Sequence, residues 1–145
     1  MLDLILAIAH HLFIFSLFGV LLAEWILLCR DVDLKATHGI ASIDRWYGIL
    51  AVLILIVGFS RAVYGAKGWN YYASNGFFWA KIGVFACVGV TSILPTIHFI
   101  RWRRAEVVPD DQVVKAMRQP VVIELLLFAL LPAFAAAMAR GYGEY

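Results

Sequence analysis

Four long apolar segments constrain this chain of 145 residues more than any other feature. They lie at residues 4–28, 47–62, 77–100 and 121–138. A helix needs roughly 20 apolar residues to cross a hydrocarbon core of about 30 Å, and such continuous runs do not suit the short alternating strands of a membrane barrel. We therefore predict an all-α integral membrane four-helix bundle. It would form a single transmembrane domain over residues 1–145, with helices at about 4–29, 43–64, 77–101 and 119–140.

The composition excludes several classes of protein. Hydrophobic residues make up 63% of the sequence and charged residues 15%, and the mean hydropathy is +0.86, which together indicate a lipid environment. The net charge of +2 is too small, and the basic residues are too dispersed, for a nucleic-acid-binding protein. Cys29 and Cys87 form no CxxC pair, so neither a disulfide framework nor a thiolate metal site is indicated.

Basic residues predict the orientation in the membrane. The connections at 29–46 and 101–120 lie on one side and together hold eight of the twelve Lys and Arg residues. The positive-inside rule assigns that side to the cytoplasm of a bacterial inner membrane, with both termini outside. The chain starts without a basic leader region, so we expect the first helix to be retained as a span. Aromatic residues in the 63–76 connection predict an outer interfacial belt.

Ionisable residues inside spans are costly, so each requires a reason. His10 and His11 in the first helix, Lys81 in the third and Arg61 at the end of the second are predicted to lie at a similar outer depth. At about 100° per residue, His10 falls close to the helix face of Glu24 whereas His11 does not, so His10 is the predicted inward histidine.

An imidazole, an amine and an arginine inside an apolar bundle suit a porphyrin. Imidazole ligates haem iron, arginine pairs with propionates, and apolar walls bury the macrocycle. We therefore predict a haem b (iron protoporphyrin) site with His10 as the metal ligand and His10 and Lys81 as the catalytic groups. His11 and Arg61 would also contact the cofactor. Two alternatives stay open: His10 could form an interhelical hydrogen bond, and Lys81 could be a snorkelling interfacial anchor.

A second polar layer is predicted near the inner side, where Glu24 and Glu124 would neutralise Arg45 or Arg101 and fix helix register. The functional alternative is a proton relay or a carboxylate ion site. His98 has the depth of this layer but lies about 100° off the Lys81 face, so we place it at the inner boundary as an interfacial or loop-facing residue. His38 is placed in a loop beside Gly39, where it would be a second ligand only if that loop folded back.

The first and third predicted helices carry motifs of a known family. The run AHHLFIFSLFG resembles the first helix of the HemJ-type protoporphyrinogen oxidases and of CopD-like membrane proteins, and FFWAKIGVF resembles the W-x-K-[LI] motif of the third HemJ helix. In that family, a histidine and a lysine are tied to haem or porphyrin binding and to activity. The resemblance implies these roles for His10 and Lys81.

Over nearly the whole chain, the sequence also resembles a family of small bacterial membrane proteins known only as domain of unknown function 2214. The segments that carry this resemblance are DRWYG, GFSRAVYGAKGW, FFWAKI and SILPTIHFIRWRR. This family name implies a membrane location but does not indicate an activity.

Three functional hypotheses follow. The first is a haem b or porphyrin-binding membrane protein with a redox role, an oxidoreductase that oxidises protoporphyrinogen in a HemJ-like way with a porphyrin or quinone-like partner. The second is a small transporter or proton-coupled carrier subunit that uses the intramembrane Glu and Arg residues, for which transport would survive His10→Ala but fail in Glu24→Gln. The third is a structural assembly partner without chemistry. A homo-oligomer is compatible with all three.

Overall fold

The computed structural model describes residues 1–143 and contains five α-helices in this range. They are α1 (Leu2–Leu28), α2 (Leu34–Tyr64), α3 (Gly68–Ala73), α4 (Gly76–Ala105) and α5 (Asp111–Ala139). The four long helices are each long and apolar enough to cross a membrane, while α3 is a short link between α2 and α4. The predicted all-α architecture with four spanning helices is confirmed.

Helix α2 begins earlier than the sequence suggested, at Leu34 rather than at residue 43. Asp33 provides the physical reason, because its side chain accepts a hydrogen bond from the backbone N–H of Ala36 at 2.7 Å and so caps the first turn. The placement of His38 in a loop was wrong, since His38 lies in the second turn of this helix.

The two helices beside the second basic connection are also longer than predicted. Helix α4 continues to Ala105 and ends at Glu106, which adopts a left-handed conformation with φ of 51°. Helix α5 begins at Asp111, capped by Asp110, instead of at residue 119, and it continues through Pro120. Prolines are tolerated inside membrane helices because neighbouring helices and side chains compensate for the lost backbone hydrogen bond.

The four long helices alternate in direction and pack as a ring in the order α1, α2, α4, α5. Fully buried apolar side chains fill the centre of this ring, including Leu17, Leu21, Val88 and Val121. Outside the ring many large apolar side chains are exposed, such as Phe15 at 71% and Leu126 at 65%. A soluble domain rarely exposes so much apolar surface, so this outer face suits lipid.

One end of the bundle is closed by α3 and the C-terminal turn. The Tyr71 hydroxyl donates to the backbone carbonyl of Met138 at 2.9 Å, which joins α3 to the end of α5. The N–H of Gly76 donates to the carbonyl of Gly143 at 2.9 Å. Gly143 has a positive φ of 80°, and a Cβ there would lie 2.6 Å from the Phe77 ring, so this close turn needs glycine.

Candidate functional site

The closed end of the bundle contains a cavity of about 590 Å³. His10 from α1, Arg61 from α2 and Lys81 from α4 all line it, so the structure brings together the three residues that the sequence analysis grouped. We call this part of the bundle the histidine end. The volume is in the range typical of small-molecule and cofactor pockets.

The imidazole of His10 packs directly against α2. A Cβ added at Gly58 would lie 3.1 Å from His10 Cε1 and 3.5 Å from His10 Nδ1, so the absence of a side chain at Gly58 makes room for the ring. The backbone carbonyl of Ile54, one turn away, interacts with the same imidazole. His10 Nδ1 is buried and has no hydrogen-bond partner among the described residues. The ring is therefore held by packing and by the Ile54 carbonyl, while its Nδ1 has no partner within the described residues.

His11 differs from His10 in both exposure and bonding. It is exposed, and its Nδ1 lies 2.7 Å from the carbonyl of Ala7 in its own helix. Its ring meets that of His10 edge-on, with centroids 6.2 Å apart, and it borders the cavity. His11 is therefore a neighbour of the site with one ring nitrogen already engaged.

Two cationic side chains complete the polar part of the cavity. Lys81 is half-buried, with its Nζ 5.8 Å from the centre of the Phe78 ring. Arg61 Nε lies 3.9 Å from Asp3 Oδ1, in an ion pair that joins the start of α1 to the end of α2. This distance is too long for a hydrogen bond, so Arg61 Nε has no hydrogen-bond partner in residues 1–143.

Aromatic and aliphatic side chains form the rest of the wall. Phe78 is buried at the centre of an aromatic cluster, with ring contacts to Phe59, Trp69 and Tyr72 at 5.5 to 6.5 Å. Lys67 lies over the Tyr71 ring at 3.9 Å, at the α3 side. The residues at the opposite wall come from α5 and include Leu131, Pro132 and Ala135. An apolar cavity with several cationic groups favours a flat or elongated apolar ligand that carries negative charge.

A second polar region lies at the opposite end of the bundle, which we call the carboxylate end. It contains the buried carboxyl groups of Glu24 (α1), Asp44 (α2) and Glu124 (α5). The predicted neutralisation of Glu24 and Glu124 by Arg45 or Arg101 was wrong, since in residues 1–143 the one ion pair is that of Arg61 with Asp3. Both glutamate side chains are instead buried inside the bundle.

Sequence reasoning missed Asp44 and its partners. Thr96 Oγ1 donates to Asp44 Oδ1 at 2.7 Å, and the Tyr47 hydroxyl interacts with the carboxyl group of Glu124. Asp44 and Tyr47 are three residues apart in the run DRWYG, which places them on one helix face, and this spacing was the available signal. His98 borders neither cavity, and its Nδ1 lies 2.9 Å from the carbonyl of Leu94.

Four spanning helices that enclose polar groups at both ends define a multi-pass membrane protein of the helix-bundle class. The chain belongs to the family described as predicted membrane protein (DUF2214), whose model matches residues 2–143. No curated protein and no solved structure matches the chain. The comparisons therefore support a membrane protein in a lipid bilayer, and the roles implied by the HemJ and CopD resemblances stay predictions.

Proposed function

We propose that this protein binds haem b or a related porphyrin at the histidine end and has a redox role. The observation that carries this proposal is the convergence of His10, Arg61 and Lys81, from three different helices, on one cavity of about 590 Å³ with aromatic walls. Haem requires one or two axial ligands, cations for its propionates and apolar walls for its ring. The residues present fit these requirements.

Each residue has a distinct role in this proposal. His10 would hold the iron, because its imidazole is fixed against Gly58 and borders the cavity. Lys81 would be a second iron ligand when its amine is neutral, or an acid–base group for the bound porphyrin. Arg61 would bind a propionate, in competition with Asp3. Bound haem would supply one-electron chemistry, and oxidation of a porphyrinogen would then need an electron acceptor such as a quinone-like partner.

Visible spectroscopy tests the proposal. The protein purified in mild detergent without added haem is expected to show a sharp reduced-state α band after dithionite treatment. His10→Ala should lose this band, because it removes the iron ligand, while Lys81→Ala should shift or weaken it. His98→Ala is the matched control, since His98 bonds within its own helix away from the cavity, and it should keep the wild-type spectrum. A colourless wild-type protein that also fails to take up added haem would refute the proposal.

We also propose an orientation in a bacterial cytoplasmic membrane with both termini outside, based on the eight basic residues near the carboxylate end. The two native cysteines allow a direct test. Cys29 is exposed where α1 ends, so a membrane-impermeant maleimide should label it only after the membrane is permeabilised. In a Cys29→Ala background, Ser74→Cys at the histidine end should be labelled in intact spheroplasts. The reverse pattern would contradict this orientation. Cys87 is also exposed, but it lies near the middle of α4, where lipid would cover it, so it should stay unlabelled in both states.

A further inference from the structure

The carboxylate end concentrates three acidic side chains in the buried interior of the bundle. The exposed fractions of Glu24, Asp44 and Glu124 are 3%, 7% and 1%. Glu24 interacts electrostatically with both of the other carboxyl groups. Burying an ionised carboxylate without a partner costs several kcal/mol, and three neighbouring negative charges would also repel one another. The cluster therefore needs bound positive charge or bound protons.

Hydrogen bonding within the described residues leaves one carboxyl oxygen of each glutamate without a partner. Glu24 Oε2 and Glu124 Oε1 are buried and have no hydrogen-bond partner among residues 1–143. Both glutamates are more than nine-tenths buried, and both point toward the shared interior of the bundle. Two unpartnered carboxyl oxygens in one buried cluster indicate that the site binds something that the chain itself does not supply.

A second cavity, of about 630 Å³, gives access to this cluster from the carboxylate end. Asp44, Tyr47, Ser92 and Thr96 line it, whereas Glu24 and Glu124 lie behind them. Tyr47 connects the cavity to the buried glutamates, because it borders the cavity and its hydroxyl interacts with Glu124. Carboxyl and hydroxyl groups in such a series can pass protons from the cavity to the buried glutamates.

Basic residues surround the mouth of this cavity without pairing with the carboxyl groups. Arg45, Arg103 and Arg104 border it, and none lies within 4.0 Å of a carboxylate in the described part of the chain. The titratable and charged groups that face the cluster or its cavity are Glu24 from α1, His38, Asp44, Arg45 and Tyr47 from α2, Arg103 and Arg104 from α4, and Glu124 from α5.

We propose that Glu24 and Glu124 form a proton-binding site that is loaded from the carboxylate end through Asp44 and Tyr47. Protons are favoured over a metal ion because no group of three or more His, Cys, Asp or Glu residues within positions 1–143 is arranged to hold a metal. This site is separate from the proposed porphyrin site. Between them lies an apolar layer in which Phe18 stacks on Phe128 with centroids 6.0 Å apart and Leu17 and Leu21 are fully buried.

Labelling with dicyclohexylcarbodiimide tests this site in the full-length protein. This apolar reagent adds to protonated carboxylic acids in membranes and does not modify ionised carboxylates. At neutral pH, mass spectrometry is expected to locate the adduct on Glu24 or Glu124, with labelling that falls as the pH is raised and does not change with added Na⁺ or K⁺. Glu24→Gln or Glu124→Gln should remove the adduct from the substituted position. Asp31→Asn is the control, because Asp31 is an exposed acid near the same end of the bundle.

The wild-type result is decisive even if a glutamine variant does not fold. Infrared spectroscopy of the wild-type protein should show the carbonyl stretch of protonated carboxylic acids, and ¹³C-labelled glutamate should shift it. Loss of the adduct on addition of Na⁺ or K⁺ would overturn the proposal in favour of a cation site. The absence of both the adduct and the infrared band would overturn it as well. Neither measurement depends on haem, so its outcome is independent of the proposed porphyrin function.

Discussion

Replacing Gly58 with valine is expected to weaken porphyrin binding by roughly ten- to a hundred-fold without unfolding the bundle. The imidazole of His10 lies against Gly58, and even a Cβ atom there would approach His10 Cε1 to 3.1 Å. A branched side chain must displace the ring or separate α1 from α2. Overpacking of this kind costs about 1–3 kcal/mol, and a loss of that size in the bound state corresponds to the stated fall in affinity.

The measurement is a titration of haem into the detergent-purified protein, followed by its reduced visible spectrum. Gly48→Val is the matched control on the same helix, because a Cβ at Gly48 would meet no atom within 4 Å. Both variants carry the same change in helix propensity, so a difference between them reports the contact with His10. Equal haem affinity in the two variants would show that the position of the His10 ring does not determine binding.

The grouping of His10 with Lys81 could be derived from the sequence because helical geometry determines it. Depth along each span follows from the rise per residue, and direction follows from about 100° of rotation per residue. Both quantities depend only on a residue's position within one helix. The structure then places both side chains on the same cavity.

The carboxylate end could not be derived in the same way. Glu24 and Glu124 were recognisable as costly residues, but their neighbours depend on the rotation and height of α1, α2 and α5 relative to one another. Single-helix periodicity does not specify these quantities between helices. The apolar segment of the second span also starts at Tyr47, so Asp44 fell within the 29–46 connection and its contact with Thr96 was not foreseen.

Helix ends were the other feature that the sequence predicted poorly, for a local physical reason. Hydropathy detects the part of a helix that lies in lipid, whereas capping determines where the helix begins. Asp33 and Asp110 each accept a backbone N–H in the first turn of the next helix, so α2 and α5 start well outside their apolar segments. Attention to aspartate before a polar helical turn would have extended both helices.

Asn75→Leu is expected to destabilise the folded protein by about 2–4 kcal/mol. Asn75 is fully buried and caps α4 by accepting hydrogen bonds from the N–H groups of Phe77 and Phe78. Its Nδ2 also donates to the carbonyl of Tyr142 at 3.1 Å, which holds the C-terminal turn over the histidine end. Loss of a cap costs about 0.5–2 kcal/mol, and an unsatisfied buried polar group adds about 1–3 kcal/mol.

The thermal unfolding midpoint in detergent measures this effect, and two further substitutions separate its causes. Asn75→Asp keeps the acceptor for the α4 cap but loses the donor to Tyr142, so its midpoint should lie between those of the wild type and Asn75→Leu. Asn70→Ala changes an exposed asparagine in α3 and should leave the midpoint unchanged. If Asn75→Leu had the same unfolding midpoint as the wild type, the C-terminal turn would not contribute to closing the histidine end. The cavity would then owe its shape to the four long helices and to the contact between Tyr71 and Met138.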